Sequence, residues 1–349
     1  MKLFACQCGN LVHFENDRCI ACQARLAFAP EREAMVAFDA EPPSLHRLCK
    51  NKLDHEACNW LVSAADQNPF CRACRLNEVI PDLSDPEGRT AWLKIEQAKR
   101  RLVYTLLSWR LPLASKSENA KEGIGFAFLK QAPGGPPVLT GHEDGLITLN
   151  IAEADDPFRE SARQSLGETY RTLLGHFRHE SGHYYWFRLV RNDQALLNAF
   201  RALFGDESVA YAGALKSHYI PGEHAGWEND HVSAYAAAHP WEDWAETWAH
   251  YLHMWDTMET AAAFGLSLGS RLPAKVKDKP TLSASTDLVT KSFEQLLAGW
   301  PALTLAINGL NRAMGLQDAY PFAPSEKVVI KLRFVHELVA RFRAAIPEP

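Results

Sequence analysis

The sequence predicts an α+β protein, mostly α, in which two small cysteine modules precede a helical domain holding a small antiparallel sheet. Three observations point there. All eight cysteines lie between Cys6 and Cys74, so they belong to N-terminal modules and not to the body of the chain. Further on, apolar residues recur mostly at three- and four-residue spacing, the period of helices that bury one face. Only two short runs there, residues 124–129 and 145–150, read as strands. A proline- and glycine-rich loop joins them, so they are expected to pair antiparallel.

Composition narrows the class. The chain has 349 residues, 47% hydrophobic and 23% charged, which suits a globular protein of about two or three domains and excludes collagen-like, coiled-coil and disordered chains. Its net charge of −5 offers no general attraction to nucleic acid or anionic membranes. No apolar run reaches the ~18–20 residues that span a bilayer. The best, near 297–307, is interrupted by Gly299 and Pro301. The N-terminus turns cysteine-rich before a signal peptide's apolar segment could form, so a cytoplasmic protein is expected.

In a reducing compartment, clustered cysteines read as metal ligands, and both thiolates of a Cys-x-x-Cys turn can face one ion. Zinc is the expected metal. Cys6, Cys8, Cys19 and Cys22 form the first set, a zinc ribbon over residues 1–30; two disulfides are the alternative and need an oxidising compartment. The second set is Cys49, Cys58, Cys71 and Cys74, a zinc module over 44–82 in which only Cys71 and Cys74 have knuckle spacing. His46 or His55 could replace an outer cysteine there, and buried cysteines without metal are the alternative. Basic and acidic side chains nearly balance in both modules, so neither shows a phosphate-binding patch. They read as structural staples or as surfaces for a protein partner.

The elements follow in order. Residues 30–43 read as a charged, proline-bounded connector and 81–86 as a boundary turn. Trp92, Ile95, Ala98, Leu102, Leu106 and Trp109 mark an amphipathic helix over about 87–110, ended by Pro112. After the two strands, helices are expected near 157–173, 175–191, 193–204, 239–260, 287–298, 302–314 and 325–345. Residues 265–284, rich in Gly, Ser, Lys and Pro, read as a loop that could serve as a lid.

Nine of the fourteen histidines and six of the ten tryptophans fall between His176 and Trp255. Within this stretch stands His179-Glu180-Ser181-Gly182-His183. Residues four apart share one helix face, so both imidazoles can hold one zinc while Glu180 reaches its water. Phe177, Tyr184, Tyr185, Trp186, Phe187 and Leu189 surround the motif and put this helix in the interior, where two unpartnered histidines are costly. A zinc with an open position needs a third protein ligand, and residues 239–253 are its best source. At about 100° per residue from Glu242, Glu246, His253 and His250 fall near 40°, 20° and 80°, whereas Trp241, Trp244, Trp248 and Trp255 fall between roughly 200° and 260°. One face packs; the other bears the polar chemistry or is a solvated surface.

This segment resembles the gluzincin metallopeptidases, in which the His-Glu-x-x-His string is followed by a helix bearing Glu-x-x-x-Glu. Glu242-Asp243-Trp244-Ala245-Glu246 fits. The resemblance implies Glu242 as third ligand and Glu246 as acceptor for a ligating histidine's ring N–H, with Asp243 or Glu246 as other possible ligands. The whole chain is similar to a bacterial family of zinc-ribbon-containing zinc-binding metallopeptidases. The shared strings include the Cys-x-Cys-Gly start, Asn68-Pro69-Phe70-Cys71-Arg72-Ala73-Cys74-Arg75-Leu76, the run from Tyr170 to Glu180, and His239 to His253.

That resemblance implies a zincin-like peptidase domain over 87–349 with one catalytic zinc besides two structural ones. Peptide hydrolysis would use Glu180 as general base toward a zinc-activated water. In the anthrax lethal factor-like branch of gluzincins, a tyrosine seven residues before the glutamate ligand assists the oxyanion. Tyr235 stands at that offset; packing is its other possible role, and His231 is an alternative donor. Residues 145–150 are the candidate edge strand for an extended peptide. Two rivals stand beside this reading: a zinc-ribbon adaptor with a non-catalytic metal site, and a hydrolase of non-peptide amides or esters.

Overall fold

The computed structural model describes residues 2–166, 168–218, 226–269, 282 and 291–345. Two compact units divide the chain, one taking in Leu3–Asn192 with Phe342–Pro349 and the other Met1–Lys2 with Asp193–Arg341. The stretch from 87 onward, read above as one domain, thus contributes to both.

In the first unit, β1 (Phe4–Ala5) and β2 (Leu11–Val12) form a small antiparallel hairpin. Next come β3 (Arg25–Ala29) and β4 (Ala34–Phe38), paired antiparallel from Arg25↔Phe38 to Ala29↔Ala34. The expected connector at 30–43 is therefore a reversal and a strand. Its Ala-Met-Val-Ala-Phe run buries Met35, Val36 and Phe38, an apolar content that outweighs the flanking charges. β5 (His46–Leu48) pairs antiparallel with β6 (Leu61–Ser63) around α1 (Lys50–His55). Val36, Phe38, Leu48 and Leu61 share one apolar cluster, so the two cysteine modules are packed as a single body.

An aromatic cluster ties this body to α2 (Pro86–Ser108). Phe14 lies 5.0 Å from Phe28 and 5.2 Å from Tyr104 of α2, and Phe28 lies 4.9 Å from Trp60. Asp85 caps α2 by accepting from the Glu87 N–H, with Pro86 in the first turn.

The main sheet contains β7 (Asn77–Val79), β8 (Gly125–Leu129), β9 (Gly141–Glu143) and β10 (Leu146–Asn150), in the order β7-β8-β10-β9. Here an expectation fails. β8 and β10 run parallel, Leu146↔Gly125 to Asn150↔Leu129. The cause is β9, which forms a tight antiparallel hairpin with β10, so the chain has already reversed and β10 offers its other side to β8. β10 is consequently internal, so residues 145–150 are not an edge strand; β9 and β7 are the two edges. The remaining small sheets, which the sequence did not announce, are antiparallel, and the chain is mostly helical, as expected.

α3 (Asp156–Ser165) stops well short of the expected residue 173, because Thr172 takes an extended conformation and caps α4 (Leu173–Leu189), its hydroxyl accepting from the Gly175 N–H at 2.9 Å. Phe177 of α4 packs on Phe126 and Phe128 of β8, at 5.5 and 6.2 Å.

The second unit is helical: α5 (Gln194–Phe204), α6 (Tyr211–His218), α7 (Pro240–Ala263), α8 (Phe293–Ala313) and α9 (Glu326–Ala344). Trp244 and Trp248 of α7 are wholly buried, and Trp244 meets Phe200, Phe204 and Phe334. The expected tryptophan stripe is thus core, with Trp255 buried and Trp241 half-buried. Of the expected helices at 287–298 and 302–314, residues 287–290 lie outside the described residues, and from Phe293 onward the two are one helix. Pro301 removes a single helical hydrogen bond, and the buried Leu296, Trp300 and Leu303 carry α8 past it. Most of the expected loop at 265–284 lies outside the described residues; Leu268 and Leu282 form an antiparallel bridge.

Candidate metal centres

The first cysteine set is built by two tight turns. Gly9, at φ +83°, lets its N–H reach the Cys6 carbonyl at 2.9 Å, which folds Cys6 and Cys8 toward one side. The second turn closes where the Gln23 N–H donates to the Cys19 carbonyl. The sulfurs of Cys6 and Cys22 lie 3.6 Å apart and those of Cys8 and Cys19 3.7 Å. A disulfide needs about 2.05 Å, so all eight cysteines are free. Four sulfurs at about 2.3 Å around a tetrahedral zinc would stand about 3.8 Å apart, so the donors fit that ion. The Cys22 backbone N–H, against burial and with help from the Ala21 N–H, brings the Cys19 thiol down to about 6.

The second set, Cys49, Cys58, Cys71 and Cys74, is wholly buried, with the Cys58 and Cys71 sulfurs 3.7 Å apart. Backbone N–H groups aim at these sulfurs: Trp60 at Cys58 (3.3 Å), Cys71 at Cys49 (3.4 Å) and Cys74 at Cys71 (3.5 Å). Burial pushes the Cys71 thiol well up, so a thiolate there requires a cation. His46 instead pairs with Glu31, and the His55 ring packs on Trp92. The four cysteines are thus a group that could hold one metal ion. Around them α2 places a charged cluster: Glu96 Oε2 lies 3.8 Å from the Cys74 sulfur, Lys99 pairs with Glu96 at 2.8 Å, and Arg100 donates to the Ala57 carbonyl at 2.6 Å. Burial opposes the charge on Arg100, but Cys58, Glu96, Cys74 and Cys71 raise its pKa.

α4 carries the expected histidine pair. His179 and His183 have ring centroids 5.0 Å apart, one turn along the helix. Glu180 and His183 are buried and His179 is half-buried. Two tyrosines fix the helix beyond the pair, Tyr184 donating to the Glu122 carbonyl at 2.8 Å and Tyr185 to the Pro112 carbonyl at 3.0 Å. The His142 ring of β9 lies nearly parallel to that of His183 at 6.3 Å. Burial, then His183 and Lys116, pushes His142 down to about 3, so it is neutral.

α7 supplies the acidic side chains from its first turns, where a helix N-terminus favours negative charge. His239 caps it, accepting from the Trp241 N–H at 3.0 Å. Glu242 is fully buried and accepts from the Tyr211 hydroxyl at 2.6 Å. Asp243, the next residue, is committed elsewhere: Lys331 of α9 donates to it at 2.6 Å, and His231 lies 3.8 Å from the same oxygen. Burial, against Lys331, brings Asp243 up to about 7. Glu246 accepts from the Ser233 hydroxyl at 2.6 Å, and Ser233 also accepts from the Ala236 N–H in the short turn that begins at Tyr235. The polar face does not stay polar along the helix. His250 bonds the Tyr320 hydroxyl at 3.0 Å and packs on Phe322, while the His253 ring lies against Trp300 and Tyr320.

Residues 88–338 match the family described as "Putative zinc-binding metallo-peptidase", and residues 3–85 match a zinc-ribbon domain. The chain belongs to this zinc-binding metallo-peptidase family. It is also 40% identical, over 343 residues, to uncharacterized proteins of Mycobacterium bovis and of two strains of Mycobacterium tuberculosis, covering 97% of this chain and 95% of theirs. No solved structure matches. The zinc-ribbon match spans both cysteine sets, in keeping with their shared core.

Three residues around these polar centres escaped the sequence reading. Tyr211 stands 31 positions before Glu242, and Lys331 stands 88 after Asp243, so no local period links them. His142 had a signal: Asp144-Gly145 is a hairpin dipeptide that would have placed a short strand just before it.

Proposed function

We propose that the chain is a gluzincin-type zinc peptidase that hydrolyses peptide bonds at an ion held by His179, His183 and Glu242. One observation carries this reading: His179 and His183 stand one turn apart on α4, their ring centroids 5.0 Å apart, with the buried Glu180 between them in sequence. Two imidazoles and a carboxylate suit a catalytic zinc and leave a position for solvent or substrate. When bound, zinc supplies a Lewis acid that acidifies water and polarises the amide carbonyl. Glu180 takes the proton of the attacking water and delivers it to the leaving amine. Tyr235 donates to the developing oxyanion, and Glu246 accepts the ring N–H of a ligating histidine.

The two cysteine sets hold structural zinc, giving three ions per chain. Zinc-bound thiolates suit a reducing, cytoplasmic compartment. A peptide substrate adds along β9, a strand at the sheet edge. The zinc ribbon offers a protein partner Ile20, which is 83% exposed on the Cys19–Cys22 turn.

The test is Glu180→Gln in the zinc-loaded chain, assayed against a peptide library beside metal analysis. Zinc content should stay at the native level while turnover falls about 10²–10⁴-fold. Undiminished turnover of the variant would refute the assignment of Glu180. A native chain that cleaves small amides but no peptide would move the substrate class.

A further inference from the structure

β9 is three residues long and ends in a two-residue turn, Asp144 at φ +46° and Gly145 at φ +81°. Positive φ at both positions is the primed hairpin geometry that glycine favours. Space excludes anything larger at Gly145, since a Cβ there would stand 2.5 Å from the Gly123 carbonyl oxygen. The turn aims the Gly145 N–H at His142 Nε2, 3.0 Å away. A ring nitrogen that accepts has no hydrogen, so the ring hydrogen of His142 sits on Nδ1. Among the described residues, no group accepts from that nitrogen. The same ring lies 6.3 Å from the His183 ring, nearly parallel to it, and 5.8 Å from that of Phe187. A hydrogen-bond donor of fixed tautomer therefore stands on an edge strand beside a proposed zinc ligand.

We propose that His142 is a substrate-binding residue whose Nδ1–H donates to the backbone carbonyl of the peptide unit next to the scissile bond. The proposal rests on the zinc-peptidase reading and adds a contact to it. Position selects the neighbouring unit. His142 stands a full ring's separation beyond the ligand His183, and successive residues of an extended peptide are about 3.3 Å apart. A donor so placed meets the next carbonyl along the strand before it meets the oxygen at the ion. It selects no side chain, so it serves any peptide and disfavours substrates lacking a flanking amide.

The experiment uses the full zinc-loaded chain and two probes: acetohydroxamate, which offers only the metal-binding group, and N-acetyl-leucyl hydroxamate, which adds a flanking amide. Binding is measured by calorimetry, with zinc content read in parallel. His142→Phe keeps an aromatic ring and removes the donor. It should retain native zinc content and native acetohydroxamate affinity, and bind the leucyl probe about tenfold more weakly, the effect of one hydrogen bond. His142→Gln, which restores an N–H donor, should return to within about threefold of native. Equal losses for both probes would assign His142 to holding His183 and overturn the proposal. Native affinity for the leucyl probe in His142→Phe, or a His142→Gln as weak as His142→Phe, overturns it too. A native chain that binds neither hydroxamate refutes the zinc-peptidase reading itself.

Discussion

The Tyr211 hydroxyl donates to Glu242 Oε1 at 2.6 Å, while the tyrosine ring is held edge-on against His239 and Trp241. This bond fixes the rotation of a fully buried carboxylate and engages one of its two oxygens. A ligand oriented in this way loses less freedom on meeting a metal. At the zinc site proposed for His179, His183 and Glu242, Tyr211→Phe should therefore weaken zinc by about 10–100-fold and leave any zinc on the cysteine sets unchanged. Competition with a chromophoric chelator, following the zinc released per chain, checks this. Release indistinguishable from the native chain would remove Tyr211 from any role in ordering Glu242.

Much of this arrangement was legible in the sequence because it depends on local spacing. The Cys-x-Cys-Gly start, the Cys71 and Cys74 knuckle, the four-residue step from His179 to His183 and the tryptophan stripe of α7 are each set by a single turn or a single helical period. What escaped depends on partners distant in the chain. The parallel pairing of β8 and β10 follows from β9, three residues with no apolar run to announce them. His250 and His253 read as chemistry because they share an angular sector with Glu242, yet residues 300–322 cover them with aromatic rings. The single helix through Pro301 reflects packing that outweighs a local breaker.

The second cysteine set should matter more to stability than the first. Cys49, Cys58, Cys71 and Cys74 are all buried beside Glu96, Lys99 and Arg100, whereas Cys8 and Cys22 are exposed. Removing the ion from the buried set leaves α2 charges without their counterpart in a region that excludes water. Cys71→Ser should lose one zinc and about 3–5 kcal/mol. Cys22→Ser should also lose one zinc, at a clearly smaller cost. Zinc analysis with denaturant titration of both variants decides, and equal destabilisation would contradict the account.

Acid should unfold the first unit partly through Glu153. Burial alone would raise its pKa, but His176, at 3.1 Å, and Arg171 outweigh burial and bring it down to about 2. A carboxylate depressed in the folded state contributes stability above its ordinary pKa, and that contribution is lost as pH falls through the folded value. The window thus runs from about pH 5 down to about 2. Glu153→Gln should cost roughly 1–3 kcal/mol at pH 7 and show a flatter fall in stability across that window. Thermal melts at stepped pH test this, and parallel curves for the two proteins would refute it.

Lys331 and Asp243 form a buried pair 2.6 Å apart in the second unit, with the lysine also donating to the Asp230 carbonyl at 2.7 Å. Pairing and burial act oppositely on Asp243, and burial prevails, bringing its pKa up to about 7. Taking away the lysine removes the attraction and leaves the burial. In Lys331→Met, Asp243 is expected to become more strongly protonated in the folded state, and the raised value makes the fold lose stability as pH rises above the unfolded carboxylate's range. The variant should therefore be nearly native in stability near pH 4–5 and weaker by about 3–5 kcal/mol at pH 8. Asp243→Asn added to Lys331→Met removes the charge that causes the loss, so the double variant should recover most of the stability and the pH dependence should disappear. Denaturant titrations of the native, single and double variants at pH 5 and 8 measure both effects. A Lys331→Met protein equally weakened at both pH values would show that packing of the lysine stem, and not the buried charge, sets the cost.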